Sequence, residues 1–394
     1  MHTRRILNQF FDQHFGFLHA ARARSYCDSV GAVLSGGMLS LCGLARELKA
    51  PTFKSATKRM DRLLGGAQID AEAEQTSRRL LELLSAWLNP LVLAVDWSAV
   101  SPGSTFVELR AAVVIPGAGR GLVVAQEVLP LAELGKVVHE SGFLKRLRNA
   151  IPQTSQVILL TDAGFRRPWF ECATALGFSF IGRIRKGVKV GRGKWQEDAG
   201  IWFDKATPKA RRYEQCSLSA HAKMPCDVVL YRRRKRNRVR YGCPGYGGQN
   251  RASVESKKSA QEPLMVVHSQ NLRHLRADEI VALYQQRMQI EENFRDTKSL
   301  RFGLGQEYSR SRSASRIRAL LMIAMIAHYL LWHIGQMAEA QGLHRRFKAT
   351  TRQARELSII TLAIRLCKFE VIPFTRKTMH ALAIKLKCPL RAFP

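Results

Sequence analysis

The sequence predicts an α/β protein: a mixed-sheet core carrying a β insertion, preceded by a helical domain and followed by a helical region. Three observations predict it. The apolar run Leu91–Val95 leads into Asp96, and a second, Val157–Leu160, stops just before Asp162; runs of this length read as strands buried on both faces. Residues 1–88 lack strand alternation and instead repeat apolar residues at helical spacing. Beyond residue 317 the chain returns to helical patterning. The expected division is a helical domain over 1–88, a core over 89–316 interrupted by an insertion at 185–262, and a helical region over 317–394.

Composition narrows the partner. The 394 residues suffice for two or three domains with real cores. Lys and Arg number 63 against 31 Asp and Glu, a net of +32 spread along the whole length. A field of that sign and size implies a polyanion, and nucleic acid is the default. The 46% hydrophobic content argues against a disordered, ribosomal-type basic protein. The eight cysteines form no CxxC pair and no zinc spacing, as expected of reduced thiols in a cytosolic protein. No clean apolar stretch follows Arg4 and Arg5, so no signal peptide is expected. The longest apolar stretch, Ala319–Ile334, contains His328, Tyr329 and His333 and is short for a bilayer span. It reads as a buried core helix, with no membrane partner.

In chain order, Leu39–Leu48 has helical spacing, Lys49–Thr52 breaks it, and Phe53–Leu64 resumes it. Pro51 and Thr52 suit a turn and an N-cap. The second helix bears Lys54, Lys58, Arg59 and Arg62, so the pair fits either a helix-turn-helix or an ordinary hairpin with a basic surface. Residues 71–88 form one more helix leading into the core. In the core, Leu91–Asp96, Phe106–Ile115, Leu122–Leu129, Val157–Leu160 and Phe178–Ile184 read as strands, with helices at Lys136–Asn149 and Pro168–Leu176. Asp96 and Asp162 then lie at carboxyl ends of strands, where open sheets gather ligands; taken singly, each also suits a cap or turn. The insertion is rich in Arg, Lys and Gly, densest over 231–240 and containing Arg232, Arg233, Arg234, Lys235 and Arg236. Strand-like pieces at Val228–Tyr231 and Leu264–Val267 bracket that run, which reads as a phosphate-contacting loop or a solvated one.

Tyr284–Lys298, YQQRMQIEENFRDTK, contains no Gly or Pro and reads as one helix. At about 100° per residue, Arg287 falls near roughly 300°, Glu291 near 340° and Lys298 near 320° from Tyr284, whereas Glu292 points about 100° away. A carboxylate flanked by cations and a phenol suits a metal-bound phosphate; the alternative is a solvated helix laced by i,i+4 ion pairs. After it, GLGQEYSRSRSASR at 303–316 is a polar loop able to approach phosphate.

The spacing Tyr284, Arg287, Glu291, Lys298 resembles the Y-R-E-K signature of bacterial insertion-sequence transposases of the IS-four family, and VDWS at 95–98 and TDAGFRRPWF at 161–170 resemble that family's two Asp motifs. The resemblance covers roughly residues 40–310. It implies an RNase H-like core, and the expected order β-β-β-α-β-α-β with Asp at the ends of the first and fourth strands is what such a fold gives. It implies Asp96, Asp162 and Glu291 as catalytic ligands of two Mg²⁺ ions, with Mn²⁺ able to substitute. Tyr284, Arg287 and Lys298 would hold the DNA backbone, and the N-terminal domain would bind the terminal inverted repeats. The insertion would be the family's β insertion, and the C-terminal region would assemble a homodimer in the paired-end complex. The implied reaction is cut-and-paste transposition: nicking, a hairpin intermediate, and strand transfer into target DNA, in the bacterial cytoplasm on the nucleoid. Leu264 stands where many relatives carry an aromatic residue that stacks on a flipped base, so that either Met265 or His268 takes that role or hairpin formation is modified. No HExxH, Walker loop or supported Ser/His/Asp motif offers other chemistry. A catalytically dead DNA-binding descendant would have no need of the three carboxylates. A general RNase H-like nuclease would lack the extra DNA-binding parts.

Overall fold

The computed structural model describes residues 3–219, 223–234, 262–301, 303–353 and 355–369. The chain forms two compact units, one of residues 1–157 with 286–394 and the other of residues 158–285.

The first unit begins with helices α1 (Thr3–His14), α2 (Ala20–Leu34), α3 (Leu41–Glu47), α4 (Phe53–Leu64) and α5 (Ile69–Ser85). The turn expected at Lys49–Thr52 is present, and Thr52 caps α4 in a reciprocal box with Ser55: Ser55 N donates to Thr52 Oγ1 at 3.1 Å, and Thr52 N to Ser55 Oγ at 3.3 Å. The spine of this unit is α11 (Ala314–Ala340), which packs against α2, α4, α5 and α12 (Ile359–Lys368). It is long and apolar enough to cross a bilayer, but 89% of its most apolar window is buried, as expected of a core helix. Three strands, β1 (Leu91–Ala99), β2 (Phe106–Val113) and β3 (Leu122–Pro130), form an antiparallel meander, and α11 also packs on β3. Strand β1 does not end at Asp96. The ladder continues through Trp97↔Leu109 and Ser98↔Glu108 to Ala99, so Asp96 lies within the strand, opposite Arg110. The apolar run stops at Val95, but backbone pairing does not depend on apolar side chains. Helix α6 (Val137–Ala150) follows, and α10 (Met288–Lys298) lies against β1.

In the second unit β4 (Val157–Thr161) runs parallel to β5 (Ser179–Ile184), joined to it through α7 (Arg167–Ala175). From β5 the sheet continues antiparallel through β10 (Leu264–His268), β9 (Met224–Tyr231), β8 (Arg211–Leu218), β6 (Lys189–Arg192) and β7 (Trp195–Asp198). Among the described residues the insertion is β, and its strands extend the edge of the sheet. Strands β6 and β7, four residues each and built from KVGR and WQED, carry no apolar run that marks them in the sequence. Helices α8 (Ala199–Phe203) and α9 (Ala277–Gln285) complete the unit. The mixed α/β architecture is that of an RNase H-like core.

Candidate active site

Tyr284–Lys298 is not one helix. It divides into α9 and α10, separated by Gln286 and Arg287. At the break the bonds tighten to i→i+3: Gln289 N donates to Gln286 O and Ile290 N to Arg287 O, both at 3.0 Å. Tertiary contacts override the helical propensity here. The Gln289 amide pairs with the Ile115 main chain, accepting from its N at 3.2 Å and donating to its O at 2.9 Å. Arg287 is drawn toward β1. Tyr284 is accordingly on a different helix from Glu291; it is buried on α9 in the second unit.

The rest of the stripe converges on the last half of β1. Arg287 Nη1 donates to Asp96 Oδ2 at 2.9 Å, and Nη2 pairs with the Glu291 carboxylate one turn along α10. One guanidinium thus bridges two carboxylates, one from a strand and one from a helix. The other Asp96 oxygen, Oδ1, accepts from Trp97 N at 2.8 Å. Trp97 Nε1 donates to the buried Glu140 of α6 at 3.1 Å, which fixes the strand just past Asp96. Lys298 Nζ donates to Ser98 Oγ at 2.5 Å and to Ala99 O, and sits 4.8 Å from the centre of the Phe294 ring. Burial pushes its ammonium down to about 8, against the opposing pull of Glu108. The Glu291 side chain is 44% exposed, so its carboxylate remains open to solvent.

Glu292 points elsewhere, as the helix phase requires. It pairs with Arg120 at 3.1 Å and with Arg295. Arg120 also donates to Asp296 Oδ2 at 2.6 Å, and burial pushes the Asp296 carboxyl up to about 6. Beneath the helix Arg110, 1% exposed, donates to Glu108 Oε1 at 2.5 Å, Asn293 Oδ1 at 2.6 Å and Thr297 Oγ1 at 3.1 Å. Its guanidinium also stacks 4.4 Å from the centre of the Phe294 ring. Sequence reasoning missed this cluster. Its only trace is Glu108 and Arg110 alternating with apolar residues in FVELRAAV, a pattern that equally marks a solvated strand face.

Asp162 belongs to the second unit. It is half-buried just past β4, and its Oδ1 accepts from Gly164 N at 2.7 Å, as in an Asx turn. Among the described residues, no three His, Cys, Asp or Glu side chains are grouped to hold a metal ion. Asp96 and Glu291 do offer oxygen donors to one shared cationic group, which is the donor chemistry a hard divalent ion takes.

Of the basic groups expected on α4, Lys54, Lys58 and Arg62 are exposed. Arg59 is turned inward, paired with Asp28 and within 3.4 Å of Ser25 Oγ on α2. In the insertion, Arg232 is half-buried and donates to Phe203 O at 2.9 Å, while Arg233 and Arg234 are exposed. Lys235 and Arg236 lie outside the described residues. Leu264 is half-buried opposite Tyr231, and Met265 and His268 are fully buried, so neither of the latter presents a surface on which a base can stack.

No curated protein matches the chain. Residues 90–330, more than half of its length, match the family described as the transposase DDE domain.

Proposed function

The chain belongs to the DDE transposases, metal-dependent enzymes that act on DNA, and on that premise we propose that it is a transposase of the IS-four kind that moves its element by cut and paste. The observation that carries this reading is the convergence of Asp96 and Glu291 on Arg287, with Lys298 fastened beside them.

Asp96, Glu291 and Asp162 are the proposed ligands of two Mg²⁺ ions, for which Mn²⁺ substitutes. When bound, such a pair activates the nucleophile and stabilises the leaving oxygen of phosphodiester displacement. The remaining roles fall to the chain's own side chains. Arg287 carries a fixed charge one turn from Glu291 and orients the scissile strand by its phosphate. Lys298 supplies a second contact from a partly desolvated position, and Tyr284 supports the DNA backbone. The proposed sequence is a nick by water, attack of the freed 3′-hydroxyl on the opposite strand, hydrolysis of the hairpin, and strand transfer into target DNA. Residues 1–88 bind the inverted repeats through Lys54, Lys58 and Arg62, with Arg59 bracing α4 against α2. Arg232 to Arg236 line the path of the backbone, and residues 317–394 serve a homodimer that pairs the ends in the cytoplasm.

The test uses a labelled duplex carrying the inverted repeat found beside the gene. Wild type is expected to nick it only with Mg²⁺ or Mn²⁺, and Glu291→Ala to bind it without nicking. Absence of metal-dependent nicking by wild type at its own element's ends would remove this reading.

A further inference from the structure

A second cationic site lies away from the two carboxylates, in the loop that leads into α11. Residues 309–313 read Ser-Arg-Ser-Arg-Ser, and with Leu41, Leu64, Arg316 and Leu320 they line a cleft of about 430 Å³ within the first unit. Arg310 and Arg312 are exposed, and neither has an ion-pair partner among the described residues. Arg316 is tied to Asp61 of α4. The Ser311 hydroxyl is buried and has no hydrogen-bond partner, an arrangement that costs free energy unless a ligand completes it. At the end of the loop α11 starts without a side-chain cap, because the Ser313 hydroxyl is engaged with Ser315 Oγ at 2.8 Å. Its first turn contains no acidic residue, so the N–H groups and the positive end of a 27-residue helix are not offset by a carboxylate of that turn. The site therefore combines two uncompensated guanidinium groups, an unsatisfied buried hydroxyl and an uncapped helix start, all around one space.

We infer that this cleft binds a phosphate of the DNA backbone, separately from the Arg287–Lys298 face. The inference rests on the transposase reading for the identity of the polyanion. A contact to the backbone carries no sequence information, so it holds the duplex whatever its sequence.

The experiment is fluorescence-anisotropy titration of full-length protein with a short labelled mixed-sequence duplex over a range of salt concentrations. Each phosphate contact adds about 0.9 to the slope of log K against log salt. The double variant Arg310→Gln/Arg312→Gln is expected to lower that slope by about 0.9 with an unchanged melting temperature, and Arg310→Lys/Arg312→Lys to restore it. Ser311→Asp removes no arginine but places a carboxylate in the cleft, and is expected to weaken binding at every salt concentration. A wild-type slope in the Gln variant, a Lys variant as weak as the Gln variant, or undiminished binding by Ser311→Asp would each overturn the proposal. Metal-dependent nicking by the same wild-type preparation keeps the two readings apart. If nicking is present while the slope is unchanged, only the cleft fails; if nicking is absent, the transposase reading fails.

Discussion

Helix α10 carries charge on two faces, and they differ in one respect. Toward β2 and Arg120 the charges are enclosed and matched. Glu108 and Arg110 are each 1% exposed, Asn293 and Thr297 take two further donors of Arg110, and Asp296 is held by Arg120. Toward the last half of β1, Arg287 is shared between two carboxylates, and Glu291 stays open to solvent. A cluster whose charges pair with one another out of reach of solvent holds a helix in place and presents no open group to a substrate. A cluster with an exposed carboxylate and a divided cation keeps the capacity to exchange partners. The contrast sets Glu291 apart from the other acidic residues within two turns as the one left open to solvent.

The comparison breaks most sharply at Glu291. Glu291→Ala is expected to lower metal-dependent nicking by about 10³-fold or more, as loss of one member of an acting unit does, with end binding and thermal melting preserved. Near-normal nicking would place the chemistry elsewhere. On the enclosed face, Arg110→Met strands Glu108 without its partner and is expected to destabilise the fold by about 3–5 kcal/mol, with Glu108→Leu in the same chain restoring most of it. Urea denaturation midpoints measure both, and a single variant as stable as wild type would refute the view that this cluster fastens the helix.

Lys298 tests the border between the faces. Its ammonium sits at about 8, so it is charged below that pH and neutral once the pH climbs past it. Lys298→Arg stays charged throughout. The ratio of variant to wild-type nicking should therefore rise as pH passes about 8; a flat ratio would mean that the charge at 298 is not used. The smallest effect is expected at Glu292, whose partners Arg120 and Arg295 lie on a partly exposed surface. Glu292→Ala should cost at most about 1 kcal/mol by denaturation and leave nicking intact. Loss of nicking in this variant alone would show that the helix phase is misassigned.

The open face was largely legible because it rests on helix periodicity and short-range spacing. Arg287 and Lys298 both reach β1 in the structure and Glu291 meets Arg287, although Arg287 stands at the helix break and Asp96 lies within β1, not at its end. The enclosed face was not legible, since nothing local says which side of β2 will be covered by a helix nearly two hundred residues later in the chain. The break at Gln286–Arg287 escaped for a related reason: no Gly or Pro marks it, and the Gln289–Ile115 contact that accompanies it is tertiary. Strands β6 and β7 went unread because backbone pairing, not apolar content, defines them. The inward turn of Arg59 depends on Asp28, which only the packing of α2 brings near.

The connection from α10 to the Ser-Arg loop is made mostly of backbone. Gly303 N and Gly305 N donate to Ser299 O, Leu304 N donates to Asp296 O, and Leu39 N from the N-terminal helices donates to Leu304 O. None of these bonds depends on side-chain identity. This backbone pairing holds α10, the loop and the N-terminal helices in register. Two glycines in it are constrained: a Cβ at Gly303 would lie 1.8 Å from Asp296 O, and Gly305 has a φ of +68°. A lineage of such proteins should hold glycine at both positions, keeping a hinge-free joint whose permanence comes from the main chain.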